Sequence, residues 1–264
     1  MRSVFAKSLH DQRRALIGWG IGIALLVLLE TALWPSIKKM PDLDAFLANY
    51  PEPMRRLFNL QDFGTGTGFV NAELFSALLP ILFLVYAIGR GARSIAGEEE
   101  SGTLDVLLVT PVTTTGLVLH QAAALAVAML ALGGVLYAVV LAGSWIFGMG
   151  IGMPALFTAT LATVGLGFEF GCLALAVGAV TGRRSLAIGI SSACAVAAYL
   201  LFVAGELVDA VQPWQPLSPF DQAMSGGPVG AGFQLAHLAM PLTAAVILAL
   251  ALPVFAHRDI AVAR

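Results

Sequence analysis

Apolar residues in this chain gather into six long runs, about 15–34, 70–92, 117–147, 154–181, 186–207 and 233–256, separated by shorter polar stretches. A helix crossing a hydrocarbon layer of about 30 Å needs roughly 20 residues at about 1.5 Å each. Each run meets that length, which predicts an all-α integral membrane protein of six transmembrane helices in a single transmembrane domain, residues 1–264. The third and fourth runs exceed the minimum, as tilted spans do. Only residues 148–153, GMGIGM, separate them, so they are expected to form a tight hairpin. Pro80 and Pro241 fall inside the second and sixth runs and predict kinks there.

Composition agrees with the pattern. Of 264 residues, 58% are hydrophobic and 11% charged, against about 25% charged in soluble domains; the mean hydropathy is +0.87. A net charge of -2 supplies no basic surplus to neutralise phosphates, which argues against nucleic acid as a partner. Cys172 and Cys194 both lie within apolar runs and read as small packed residues rather than a disulfide or metal pair. The first run is span-length and lacks a small-x-small cleavage site, so no cleavable signal peptide is expected.

Lys and Arg set the orientation. Arg2, Lys7, Arg13, Arg14, Arg90, Arg93, Arg183, Arg184, Arg258 and Arg264 fall on one side, ten of the fourteen, and Lys38, Lys39, Arg55 and Arg56 on the other. Both termini are therefore expected in the cytoplasm. Of the two long outer segments, 35–69 holds short stretches at 42–47 and 53–58 with apolar positions three and four apart, which suggest helices lying on the outer leaflet. Gly64 to Gly68, GTGTG, reads as a flexible turn into the second span. Segment 208–232 is apolar yet broken by Pro213, Pro216 and Pro219. It reads either as a re-entrant piece whose backbone protein must cover or as a surface loop with Trp214 at the interface.

Between the second and third spans lies the most distinctive stretch, residues 95–112, IAGEEESGTLDVLLVTPV. Arg90 and Arg93 suit a helix C-terminus, and Gly97 can cap it. Glu98, Glu99 and Glu100 would then precede a second, short helix capped by Thr103, with Leu104, Leu107 and Leu108 at i, i+3 and i+4 on one face and Pro111 as its stop. Thr113 to Thr115 can cap the third span. An acidic knob with a leucine face suits a groove in a soluble partner. A solvated charge run followed by a helix lying on lipid fits the same residues.

The fourth span carries a second pattern. Gly167, Gly171, Ala174, Gly178 and Gly182 recur at steps of 4, 3, 4 and 4, a stripe that allows another helix to approach closely. Glu169 lies mid-span, about 200° around the helix from Gly167. A charged, unpaired carboxylate there costs about 2.5–3.5 kcal/mol on insertion scales. Glu169 thus reads as a cation site or gate on a translocation path, or as a neutral group hydrogen-bonded to Ser, Thr or Tyr of another span.

The 95–112 stretch resembles the signature of type-2 ATP-binding-cassette (ABC) transporter permeases, roughly Glu, three residues, Gly-Thr-Leu, two residues, Leu-Leu, two residues, Pro-Val. Glu98 or Glu99 opens it, Gly102, Thr103 and Leu104 form its middle, Leu107 and Leu108 its apolar pair, and Pro111 and Val112 its end. Six spans, a long first outer loop and a closing Arg258-Asp259-Ile260 extend the likeness along the chain. Thr113 to Gly116 and Gln121 depart from it, since family members often carry Arg and Lys there. The resemblance implies an export-type permease of the cell membrane, two membrane subunits on two cytoplasmic ATPase subunits, with 98–110 as the coupling helix. The second membrane subunit would be another copy or a paralogue, and Lys7 to Arg14 would match the family's interfacial elbow. ATP and Mg would be bound by the partner ATPase, and no cofactor by this chain. The substrate implied by the apolar spans is hydrophobic or amphipathic: a drug, an antibiotic or a lipid-like molecule.

Other classes fare less well. There is no GxxxxGK[ST] loop, and residues 178–185, GAVTGRRS, have neither the spacing nor the lysine. No HExxH or GxSxG motif marks an intramembrane enzyme. A secondary transporter using Glu169 would show inverted repeats, and none is evident. A membrane subunit doing mechanical or assembly work remains the alternative to an exporter.

Overall fold

The computed structural model describes residues 4–40, 47, 49–102 and 113–258. Six helices are long and apolar enough to cross a membrane: α1 (Val4–Ile37), α3 (Gly66–Glu100), α4 (Thr114–Ile146), α5 (Met153–Thr181), α6 (Arg184–Leu207) and α8 (Leu235–Ala256). Two short helices, α2 (Glu52–Leu57) and α7 (Pro219–Met224), lie in the longer connections. No strand occurs among the described residues.

Burial ranks the spans and so assigns the centre. The most apolar window of α5 is 72% buried, against 22% in α1 and in α6. Accordingly α5 packs against α3, α4, α6 and α8, while α1 lies outside along α4. The small-residue stripe explains why α5 can be surrounded. A Cβ on Gly91 of α3 would lie 2.1 Å from the carbonyl oxygen of Gly171, and one on Gly171 would meet Leu125 at 2.7 Å and Ala87 at 3.1 Å. Gly167 faces Phe83 and Met129, Gly178 faces Ala96 and Ala187, and Ala174 is fully buried. Gly182 belongs to a different role: at φ +65° it is the left-handed residue ending α5.

The α4–α5 connection is a tight hairpin. Gly148 and Gly150 take positive φ, and Ser144 receives the amide of Met149 on its carbonyl at 2.9 Å and that of Ile151 on its hydroxyl at 3.2 Å. The hairpin tip rests on the start of α3, where a Cβ on Gly66 would strike the Met149 carbonyl.

Several local expectations are corrected. Residues 66–68 are not a flexible turn but the first turn of α3. Thr65 caps it by accepting from the Gly68 amide, and Gly68 lies so close to the Asp62 carbonyl that no side chain fits. Pro80 does not kink a straight span. The helix is already wide over Asn71–Phe75, breaks at Ser76 and Ala77, and restarts at Leu78, so Pro80 falls in a first turn where its missing N–H costs nothing. Pro241 likewise sits in the first α-turn after the 3₁₀ opening Leu235–Leu238. Lys7 to Arg14 form no separate elbow but the opening turns of α1. The stretch 42–47 lies almost wholly outside the described residues.

Segment 208–232 folds back into the bundle. Its 3₁₀ stretch Gln212–Leu217 sends Gln215 inward to Phe202 O (3.2 Å) and Glu206 Oε1 (2.8 Å), and Ser218 donates to Ala198 O at 2.7 Å. Ala198 lies nine residues before the end of α6, about 13 Å along its axis. Phe220 stacks against Phe170 and Tyr199. The segment thus turns back along α6 to that depth, held there by the Gln215 and Ser218 bonds, while Trp214 stays exposed.

The α3–α5 contact predicts opposite outcomes for two neighbouring glycines. Gly91→Ala should destabilise the purified chain by about 1–3 kcal/mol, the usual cost of overpacking. Gly89→Ala, where a Cβ meets nothing within 4 Å, should leave the thermal unfolding midpoint unchanged or slightly raised.

Candidate functional site

At one end of the bundle α3 finishes in an arrangement unlike the expected one. Gly97 is not a cap. The helix widens over Arg93–Gly97 and continues through Glu98–Glu100, with Gly102 at φ +69° as the residue that ends it. The three glutamates therefore occupy the last turn of the second span rather than the approach to another helix. Carboxylates at a helix C-terminus oppose the macrodipole, so they need partners.

Each glutamate meets a partner from a different element. Glu98 pairs with Lys7 of α1 at 3.3 Å, and Lys7 also reaches Asp11 at 3.4 Å. Glu99 pairs with Arg258, which follows α8, in a short contact whose side chains are only 14% and 17% exposed. Glu100 accepts the backbone N–H of Arg184, the first residue of α6, at 2.8 Å. Gly182 completes the corner, because a Cβ there would lie 2.7 Å from Arg258 Nη1 and 2.8 Å from the Glu99 carboxylate. Arg258 further stacks over Phe255 at 5.8 Å. Beneath this turn, Arg90 donates to the carbonyl and hydroxyl of Ser8 (3.1 and 3.0 Å), Ser8 donates to Gln121, and Gln12 donates to the Ala124 carbonyl. Both described chain ends thus lie at the same end of the bundle as Glu98–Glu100.

Thr103, Leu104, Leu107, Leu108 and Pro111 lie outside the described residues. Glu169 is 5% exposed on α5, and its Oε2 has no hydrogen-bond partner among the described residues. Cys172 is buried and Cys194 exposed, both unpaired.

The opposite end holds what the sequence did not announce. A cavity of about 670 Å³ opens between the approach to α3 and the loop after α7, lined by Asn59, Asp62, Thr67, Asn71, Glu206 and Gly227 among others. Asn71 fixes its far wall by donating to Val229 O (2.9 Å) and accepting from Val229 N (2.8 Å). Nearby Asp221 has its carboxyl pushed above the ordinary range, first by burial and then by the charge of Glu206. A second, apolar cavity of about 220 Å³ lies on the α3–α6 seam, bounded by Ala77, Pro80, Ile81, Val196, Tyr199 and Phe220. Neither cavity has a local sequence motif; Asn71 and Val229 are 158 positions apart.

A bundle of six membrane-length helices built around the buried α5 is the architecture of a polytopic membrane protein. The chain matches the family described as ABC-2 family transporter protein over residues 2–260; it belongs to that family and is a multi-pass protein of the plasma membrane. Membership makes it the membrane component of an ABC system and implies association with an ABC ATPase component. No curated protein matches the chain.

Two tests follow from the electrostatics. Glu99→Ala should cost more than the about 1 kcal/mol ceiling of exposed pairs and approach the about 3–5 kcal/mol of a broken buried pair, whereas Glu98→Ala should stay below about 1 kcal/mol; denaturation in detergent ranks them. A raised carboxyl pKa means that the folded chain favours the protonated form. Asp221 therefore contributes stability below the ordinary Asp range, and loses it as pH rises through its elevated folded value. Asp221→Asn should accordingly be the more stable chain at pH 7 and lose that advantage towards pH 4, as read from unfolding midpoints across the series.

Proposed function

We propose that this chain is the permease subunit of an ABC exporter, working with a separate cytoplasmic ATPase that binds ATP and Mg. The observation that carries the reading is the position of Glu98–Glu100. They form the last turn of α3, directly before residues 103–112 with their Thr103, Leu104, Leu107, Leu108 and Pro111 pattern, and they are tied to α1, α6 and the segment after α8. A push on segment 98–110 would reach four spans at once, which is what a coupling helix requires. The basic end, with Lys7, Arg13, Arg90, Arg93, Arg183, Arg184 and Arg258, is the cytoplasmic one by the positive-inside rule.

A second membrane subunit, a copy or a paralogue, would complete the pathway within the lipid. The apolar cleft on the α3–α6 seam favours a hydrophobic or amphipathic substrate such as a drug, an antibiotic or a lipid-like molecule. Glu169, enclosed and without a partner for Oε2, is the candidate polar point along the path. Mechanical or assembly work by the same complex is the competing reading. ATP-driven movement of an amphipathic dye into vesicles by the reconstituted pair separates the two.

The first experiment is co-purification. Tagged chain extracted gently should bring a stoichiometric ATPase with it. Because Glu99 and Glu100 are tied into the bundle, reversing their charge could unfold the chain, so the informative variant is Leu104→Asp with Leu107→Asp. It should keep the unfolding midpoint and lose the ATPase. A well-folded chain that never brings an ATPase overturns the proposal.

A further inference from the structure

The geometry points to a composite binding site for an amphiphile with a cationic head, its head in the polar cavity and its tail in the apolar cleft of the α3–α6 seam. This rests on the exporter reading above and narrows its substrate class. The two cavities share a wall. Ser76 borders the apolar cleft, while its hydroxyl accepts from Asn59 Nδ2 at 3.0 Å and donates to Asn71 O at 2.8 Å, and both asparagines line the polar cavity.

The same two helices serve both halves. Asn71 of α3 and Glu206 of α6 line the polar cavity, while Pro80 and Ile81 of α3 and Val196 and Tyr199 of α6 line the cleft. From Glu206 to Tyr199 the axis of α6 covers about 10 Å, a distance that a medium-length alkyl chain spans. The chain between the two halves is the irregular step Ser76–Ala77, where α3 is interrupted before it restarts at Leu78, so only the small side chains of Ser76 and Ala77 stand between head and tail.

Charge decides the head. Asp62 and Glu206 line the polar cavity and no Lys or Arg does, among the described residues. Glu206 also keeps one oxygen on Gln215 Nε2 at 2.8 Å, which holds it in place. The remaining lining is amide, hydroxyl and backbone, which solvates an ammonium but supplies no basic group to a phosphate or sulfate. Below it the cleft is almost wholly apolar, so a bare polar cation would leave that half unused. An amphiphile bearing an amine or quaternary ammonium satisfies both halves; an anionic one does not.

The test uses the full chain in phosphatidylcholine nanodiscs. Two fluorescent probes share a twelve-carbon tail and carry a trimethylammonium or a phosphate head, with empty nanodiscs as background. Saturable binding of the ammonium probe at least about tenfold tighter than the phosphate probe is expected. Asp62→Asn with Glu206→Gln should abolish that preference. Val196→Trp, at an exposed position bordering the cleft, should weaken both probes without altering the unfolding midpoint. Equal affinity for the two heads, a preference that survives the double variant, or binding undiminished by Val196→Trp would each overturn the site. ATPase co-purification is scored on the same preparations. Ammonium preference without a partner ATPase would sink the exporter reading and leave this site standing.

Discussion

The close approach of α3 to α5 is the contact on which the rest of this bundle depends. Without side chains at Gly91 and Gly171, the Gly91 α-carbon can lie against the Gly171 carbonyl, and dispersion contacts accumulate along two whole helices. Close packing carries unusual weight in a membrane, where lipid tails are as apolar as leucine and burial alone gives no drive to associate. Once α3 is held against α5, its two ends are positioned: the break at Ser76–Ala77 faces α6 and the cavities, and Glu98–Glu100 reach the basic end. One helix therefore spans both regions of chemical interest.

The basic end shows how an unfavourable local charge is made tolerable. Three carboxylates at a helix C-terminus would be repelled by the dipole. Here a lysine from α1, an arginine after α8 and the first backbone amide of α6 answer them one by one. These partners come from elements far apart in sequence, so the turn that leads into segment 103–112 is rigidly referenced to the bundle. In the exporter reading this makes Glu99 and Glu100 structural transmitters, while contact with the ATPase would fall to the residues beyond them.

Legibility followed the physics of each feature. The six spans were readable because the hydrocarbon thickness sets a minimum length that a hydropathy run must meet. The small-residue stripe of α5 was readable from helical periodicity, except that Gly182 ends the helix instead of packing its flank, a difference that depends on φ. The glutamates were misplaced by one element. Gly97 is a common cap residue, and nothing local indicated that a wide turn would carry α3 three residues past it. The polar cavity escaped notice because its walls, Asn59 to Asn71 and Gly226 to Gly230, meet only after folding.

By itself the sequence determined that the chain has six helices long and apolar enough to cross a membrane, which segments carry charge and which span is rich in small residues. These are properties of short windows, governed by solvation and helical period. The tertiary structure alone decided that α5 is the central span, that segment 208–232 turns back along α6, that Glu99 meets Arg258, and that two cavities share a wall at Ser76. Those depend on contacts between residues many positions apart, where steric fit and charge pairing act only once the helices are assembled.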